Sequence, residues 1–231
     1  ATVLVATWLI QPAPGKRSRL APWRSSIGEG AAYVRRDRYV LQLLSITGAF
    51  GLLVMPFQAF LPALARDVLH TGADGLAALV TAIGAGAVIG AVITGTRAVA
   101  RRPNQAMALF ALLTSVGLSA LGLATPQRWF PVWVPLTLLV LVGLGSVGFL
   151  TTANAILQLR VPDALVGRVM GLWVVLNAGT TPLGSLALGA VSERIGVPTM
   201  LFWCGVIGAG LAVLLSRMLS EVARTVHDEA A

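Results

Sequence analysis

Charged residues are scarce in this sequence. Only 11% of its 231 residues are Asp, Glu, Lys or Arg, and 56% are hydrophobic. A soluble globular domain has about 25% charged residues. So few polar side chains cannot cover a core this apolar, which excludes a water-soluble domain. The composition predicts a membrane protein.

Cysteine and histidine are also rare. The single cysteine, Cys204, cannot form an intrachain disulfide, and one Cys with two His offers no metal-ligand spacing. No buried nucleophile–base pair is visible, so we expect no metal, no other cofactor and no enzyme activity. The net charge of +8 does not predict a nucleic-acid partner. Lys and Arg lie between apolar runs, without the interleaved aromatic residues of a nucleic-acid surface.

Six apolar stretches reach the length of about 20 residues that a membrane-spanning helix needs. Each is bounded by charges or by proline. Residues 1–10 are apolar as well, which predicts the end of a preceding span and indicates that the chain is a fragment. The six stretches lie at roughly 41–64, 74–97, 105–124, 131–158, 167–191 and 199–218.

The Lys and Arg residues alternate along the chain and so predict its orientation. Most of them lie in segment 11–40, in the loop after the second span, in the turn after the fourth span and in the tail. The positive-inside rule places these parts in the cytoplasm. We therefore expect a multi-pass protein of the inner (plasma) membrane. It has a basic cytoplasmic connector at 11–40, a six-helix bundle at 41–218 and a cytoplasmic C-terminal tail at 219–231.

The connector has a helical pattern of its own. Ser26 and Glu29 have the spacing of a capping box, and the apolar residues Trp23, Ile27, Ala31 and Val34 recur at helical intervals. The pattern indicates an amphipathic helix lying on anionic headgroups. A flexible basic linker is the alternative.

A shift of 94 residues lays the first three spans over the last three. Three is an odd number of crossings, so the second copy would be inverted, which is typical of secondary transporters. Within the spans, residues 82, 86, 90 and 94 are small and predict close helix packing, and Pro182 predicts a bend in the fifth span. The shift pairs Gly90 with Gly184, Gly95 with Gly189 and Arg66 with Arg160.

The loop after the second span carries Gly90, Gly95, Arg97, Arg101 and Arg102. This pattern is similar to the degenerate second copy of the cytoplasmic loop motif of the major facilitator superfamily. The usual acidic residue of that motif is absent. With the basic connector and the internal repeat, the chain resembles the C-terminal half of a twelve-helix transporter of this superfamily. The implied fold is all-α: six transmembrane helices in a three-plus-three inverted repeat.

A second motif, QLRVPDALVGRVMGL at 158–172, follows the fourth span. With residues 179–196 it resembles the branch of bacterial export permeases that includes the enterobactin exporter, the transmembrane secretion effectors. That branch typically has Q-x-x-V-P-D-x-x-R-G-R-V-M, and Val166 replaces the first Arg of its R-G-R. The resemblance covers about residues 15–220. It implies export of small organic molecules such as drugs, siderophores or metabolites by alternating access.

Three charged residues, Arg160, Asp163 and Arg168, surround the helix-stopping Pro162. We call residues 160–163 the elbow. The charges either hold the orientation of a cytoplasmic turn or form cytoplasmic inter-domain contacts that break as the transporter rocks. Asp163 is expected to cap the next helix.

Uncharged polar residues share one helical face in the fourth span and another in the fifth, and one more follows Pro56 in the first span. The resemblance implies that these three spans border the central cavity. The residues then either hydrogen-bond the cargo or only join helices. They are Gln58, Thr151, Asn154, Gln158, Asn177, Thr181 and Ser185.

No ionisable side chain lies deep within the six spans, although such groups usually carry function there. If transport is proton-coupled, we expect the coupling carboxylate in a missing N-terminal six-helix half. The expected partners are that half, the lipid bilayer and a small-molecule substrate. The alternative function is a non-transporting scaffold or receptor that keeps the fold.

Overall fold

The computed structural model describes residues 23–125, 131 and 133–228, and nearly all of these residues are helical. No strand occurs among them, which confirms the all-α fold class. The expected end of a preceding span at 1–10 and the first part of the connector lie outside the described residues.

Within the described ranges, six helical segments are long and apolar enough to cross a membrane, as the hydropathy pattern predicted. The first begins at Arg38 because the Asp37 carboxylate accepts hydrogen bonds from the backbone N–H groups of Tyr39 and Val40, at 3.0 and 3.2 Å. We number the spans from first to sixth. They are Arg38–Asp67, Gly72–Thr94, Pro103–Ala124, Trp133–Arg160, Asp163–Ile195 and Val197–Arg217.

A separate helix, Trp23–Arg36, precedes the first span, and we call it the connector helix. It already includes Trp23 to Ser26, so the capping box predicted at Ser26 is wrong. The flexible-linker alternative is also wrong over this range. Val34 of this helix is buried, and the helix packs against the start of the fifth span. Its contact with lipid headgroups stays a prediction.

The first and fifth spans are irregular. The first is an α-helix over Arg38–Leu53, a 3-10 helix over Met55–Phe60, a short α-helical turn over Leu61–Ala63 and a π-helix over Leu64–Val68. Pro56 and Pro62 lack the backbone N–H that a regular helix would need there. The fifth span consists of two helices, Asp163–Ala178 and Thr180–Ile195, which are separated at Gly179. Pro182 lies in the first turn of the second helix. The helix is therefore interrupted close to Pro182, and a bend there stays a prediction.

The other four spans are single helices. The second is Gly72–Thr94, the third Pro103–Ala124 and the fourth Trp133–Arg160, and the sixth belongs to a helix over Val197–Asp228. A short helix, Arg97–Arg101, joins the second span to the third.

The packing of the spans repeats. The second span contacts the fourth as the fifth contacts the first, and the third contacts the fourth as the sixth contacts the first. The third and sixth also contact each other. These contacts are unchanged when spans one to three are exchanged with spans four to six, whereas the contact of the fifth span with the sixth has no comparable counterpart between the second and third. Because successive spans cross the membrane in opposite directions, the second copy of a three-span unit is inverted, as the fold class predicts.

Small residues bring the second and fourth spans together. A methyl group at Gly86 or Gly90 would collide with the backbone of Val140 or Leu144, and one at Gly143 would collide with Ile83. Gly90, which the loop motif includes, is thus buried in a helix–helix contact. This confirms the close packing predicted from the four-residue repeat.

Candidate functional site

The irregular parts of the first and fifth spans enclose a cleft of about 530 Å³ together with the fourth span. We call it the proline cleft, because Pro56 and Pro182 lie on its two sides. Three predicted cargo residues line it, namely Gln58, Asn177 and Thr181, and so does Ser185. The structure therefore brings together side chains that are more than 100 residues apart in the sequence.

Asn177 contributes a buried, unpaired polar atom to this cleft. Its Nδ2 donates to the carbonyl oxygen of Trp173 at 3.0 Å, while its buried Oδ1 has no hydrogen-bond partner in the described part of the chain. The hydroxyl of Thr181 donates to the carbonyl oxygen of Asn177 at 2.8 Å, and that of Ser185 donates to Pro182 at 2.8 Å. Their donors are thus used within the helix. The cleft mainly offers acceptors, with the exposed carboxamide of Gln58 able to donate and accept.

The predicted polar residues of the fourth span, Thr151, Asn154 and Gln158, do not line this cleft. Nε2 of Gln158 donates to Oδ1 of Asn154, so this donor and this acceptor are paired with each other. Thr151 lines a different cleft, near the end of the same span. The structure thus separates the predicted cavity residues into two groups, and cargo contact by the fourth-span group stays a prediction.

Arg160 of the elbow and Arg168 beyond it both contact acidic residues of the connector region. Nε of Arg160 lies 3.4 Å from Oδ2 of Asp37, and its guanidinium lies 4.4 Å from the centre of the Tyr39 ring. Arg168 pairs with Glu29 of the connector helix. These pairs join the fourth and fifth spans to the segment before the first span.

The sequence analysis did not predict Glu29 and Asp37 as partners of these arginines, although their spacing matches. Glu29 and Asp37 are eight residues apart, as are Arg160 and Arg168. Nearby, burial and the negative charge of Asp37 hold the pKa of Tyr33 above its usual value.

Asp163 does not cap the fifth span. The helix begins at Asp163 itself with Pro162 in the cap position, and no side chain makes a capping hydrogen bond. The predicted cap is therefore wrong, because Pro162 already fixes the extended backbone that a cap residue needs. Asp163 is exposed in the first helical turn, where a negative charge still interacts favourably with the helix dipole.

The loop-motif arginines are solvent-exposed. Gly95 ends the second span, and Arg97, Arg101 and Arg102 follow it with exposed side chains. Nη1 of Arg102 donates to Oε1 of Gln105 at 3.4 Å. None of the three pairs with a carboxylate within the described ranges, so the loop carries uncompensated positive charge beside the elbow.

Six membrane-length helices with a three-plus-three internal repeat define a multi-pass membrane bundle of the kind found in secondary transporters. Comparison with protein families is consistent with this class. The profile of the transmembrane secretion effector family, within the major facilitator superfamily, matches residues 2–230. The chain belongs to this family.

Curated relatives are similar to the chain over 184 aligned residues. The enterobactin exporter EntS is 30% identical in Citrobacter koseri, 32% in Escherichia coli O1:K1 and 31% in Shigella boydii serotype 18. Each match covers 75% of this chain but only 41% of the relative. No solved structure matches the chain significantly.

Proposed function

We propose that this chain forms the C-terminal half of a secondary active exporter of small organic molecules. The names of its relatives support export, and the chain spans well under half the length of those relatives. A second six-helix half then completes the transporter in the inner membrane and supplies the coupling carboxylate. The elbow and the C-terminus lie in the cytoplasm, as the Lys and Arg distribution predicts.

The cargo contacts the proline cleft in this proposal. The observation that carries it is the buried Oδ1 of Asn177, which has no partner among the described residues although Asn177 is one of the residues that line an open cleft. An unpaired amide oxygen at membrane depth is costly unless something donates to it. A cargo hydroxyl or amide supplies that donor, and Gln58 completes the contact from the first span.

The two prolines also suit alternating access. Each interrupts its helix beside the cleft, so the half-spans can tilt with little loss of backbone hydrogen bonding. The regular pair formed by the second and fourth spans provides the rigid body against which this movement occurs.

Transport into everted membrane vesicles that contain the complete transporter, with both halves, tests the proposal. The relatives are named for enterobactin, so radiolabelled enterobactin is the first cargo to try, followed by other amphipathic metabolites. We expect accumulation that stops when a protonophore collapses the proton gradient. Asn177→Leu should reduce the initial rate at least about tenfold, since it removes a buried hydrogen bond to the cargo.

Gln105→Leu is the matched control, because it removes an amide of an exposed side chain outside the proline cleft. Its rate should equal that of the unaltered protein. Equal rates for both variants would place the cargo outside the proline cleft. No gradient-dependent accumulation of any cargo tried would favour the alternative, a non-transporting scaffold or receptor.

A further inference from the structure

A second cleft, of about 520 Å³, lies at the end of the bundle that carries the elbow. It is enclosed by the start of the first span, the loop after the second, the start of the third and the end of the fourth. We call it the elbow cleft. None of the described residues that line it carries a carboxylate. Its polar lining consists of Tyr39, Thr94, Asn104, Thr151, Thr152 and Arg160.

Thr152 contributes an unpaired hydroxyl to this lining. Its residue is only 4% exposed, yet its Oγ1 has no hydrogen-bond partner within the described ranges. Other buried threonines in these helices, such as Thr47 and Thr114, donate to a carbonyl one turn earlier. The unpaired hydroxyl of Thr152 therefore belongs to a residue that lines the cleft.

The third span directs its N-terminus to the same place. It begins at Pro103 and continues for 22 residues, and no side chain caps it. The first backbone N–H groups of a helix have no acceptor inside the helix, and together with the helix dipole they favour an anion. Oδ1 of Asn104 accepts a hydrogen bond from the Tyr39 hydroxyl at 2.7 Å. This contact uses the acceptor of the amide and leaves its NH₂ group to donate.

Positive charge dominates the surroundings. The Arg160 side chain is 44% exposed and shares its charge with one carboxylate, Asp37, at 3.4 Å. The exposed loop-motif arginines lie on the segment that forms another wall of the cleft. A guanidinium, an amide NH₂ group and a free helix start together match the oxygens of a phosphate group.

The apolar part of the cleft indicates where that phosphate comes from. Leu159 lines the cleft and is 89% exposed, and Val99 and Ile156 lie beside it. The cleft is also at the end of the spans, at the level where a bilayer places its headgroups. An amphiphile with a phosphate at its polar end fits both parts of this surface.

We propose that the elbow cleft binds a phosphate-type oxyanion, supplied by the headgroup of an anionic phospholipid. The headgroup then joins the starts of the first and third spans to the end of the fourth. This site is separate from the proline cleft and does not depend on the proposed cargo contact.

Lipid binding to the purified protein tests this site. The detergent-solubilised protein is titrated with phosphatidylglycerol, and the bound lipid is counted by native mass spectrometry. Thr152→Val keeps the side-chain shape and removes no hydrogen bond of the fold, so it tests the site without unfolding the protein. We expect Thr152→Val to weaken the tightest lipid site about fivefold and Arg160→Gln at least about tenfold.

Arg194→Gln is the matched control, because it removes the same charge at the opposite end of the fifth span, where the side chain is exposed. It should leave the tightest site unchanged. Equal weakening by Arg194→Gln and Arg160→Gln would show general charge attraction and overturn the proposal. Unchanged affinity in Thr152→Val and Arg160→Gln would overturn it as well.

A second arm distinguishes the two sources of phosphate. Inorganic phosphate is added at millimolar concentration to the protein with bound phosphatidylglycerol. Retention of the lipid supports the headgroup as the ligand. Full displacement of the lipid, with phosphate itself retained by the unaltered protein and lost in Arg160→Gln, would assign the cleft to a soluble oxyanion and overturn the lipid source.

Discussion

The repeat places two pairs of spans in equivalent positions, and the two pairs are built differently. The second and fourth spans are uninterrupted helices that meet through Gly86, Gly90 and Gly143. The fifth and first spans also approach closely, since a methyl group at Gly184 would collide with the carbonyl oxygen of Leu52. Both spans of this second pair are nevertheless interrupted by proline next to the contact.

The two pairs of spans also differ in the polar groups between their helices. The contact between the second and fourth spans is formed by small and apolar residues, whereas the first and fifth spans enclose the proline cleft with its unpaired amide oxygen. One copy of the repeat therefore uses the shared geometry for tight packing. The other uses it to keep polar groups available between the helices.

The largest expected effect is on the tightly packed pair. Gly86→Leu should prevent folding, because the side chain would meet the backbone of Val140 and the helices would have to separate, at a cost of about 3 kcal/mol or more. Labelling of the buried Cys204 during heating measures the loss of stability. Gly84→Leu is the matched control, since no atom lies within 4 Å of that position. Equal melting of both variants would contradict the packing described above.

A smaller effect is expected in the equivalent contact of the other pair. Gly184→Ala should destabilise the protein by about 1 kcal/mol, and Gly86→Ala by about 2 kcal/mol. Both methyl groups meet a carbonyl oxygen, but Leu52 lies where the first span changes to a 3-10 helix and can shift more easily. Thermal unfolding of the two variants under identical conditions measures the difference. The reverse order would show that the interrupted pair is the more rigid one.

A third substitution is expected to stabilise the protein. Asn177→Leu should raise the free energy of unfolding by about 1 kcal/mol, because it replaces a buried amide oxygen that has no partner in the described structure. The same variant is expected to lose transport. Higher stability with lower transport would show that the polar group is kept for function. A loss of stability would instead mean that Asn177 holds the helices together.

The smallest effect is expected at the elbow. Glu29→Gln removes the ion pair with Arg168, whose two side chains are 56% and 27% exposed. Exposed pairs contribute less than about 1 kcal/mol, so the melting temperature should change little and the difference should shrink further in high salt. Transport rates measured in the same variant show whether the pair has a role in the transport cycle. A large loss of stability would mean that the connector helix is an essential part of the bundle.

Much of this fold follows from the sequence. The length of the apolar runs predicted six spans, and the four-residue repeat from Ala82 to Thr94 predicted a close contact, because helix periodicity alone decides which residues share a face. The family resemblance rested on local motifs such as residues 158–172 and was confirmed by the family match.

Other features depend on long-range contacts and could not be read in this way. Asp37 and Glu29 are more than 120 residues from the arginines that they meet, and no local rule pairs them. The π-helix at Leu64–Val68 has no local sequence signal comparable to a proline. The separation of Thr151 from Asn177 depends on how two spans are rotated, which polar patterning within each span does not determine.

The prolines beside the cleft have one further consequence, for hydration. Pro182 has no N–H to offer the carbonyl oxygen of Ala178, which lines the proline cleft, and Pro56 likewise leaves the carbonyl oxygen of Leu52 without its helical donor. Both carbonyl oxygens are hydrogen-bond acceptors at membrane depth. Hydrocarbon cannot satisfy them, whereas ordered water can. We therefore expect ordered water at the Ala178 carbonyl when the proline cleft is empty of cargo, and binding there must first release that water.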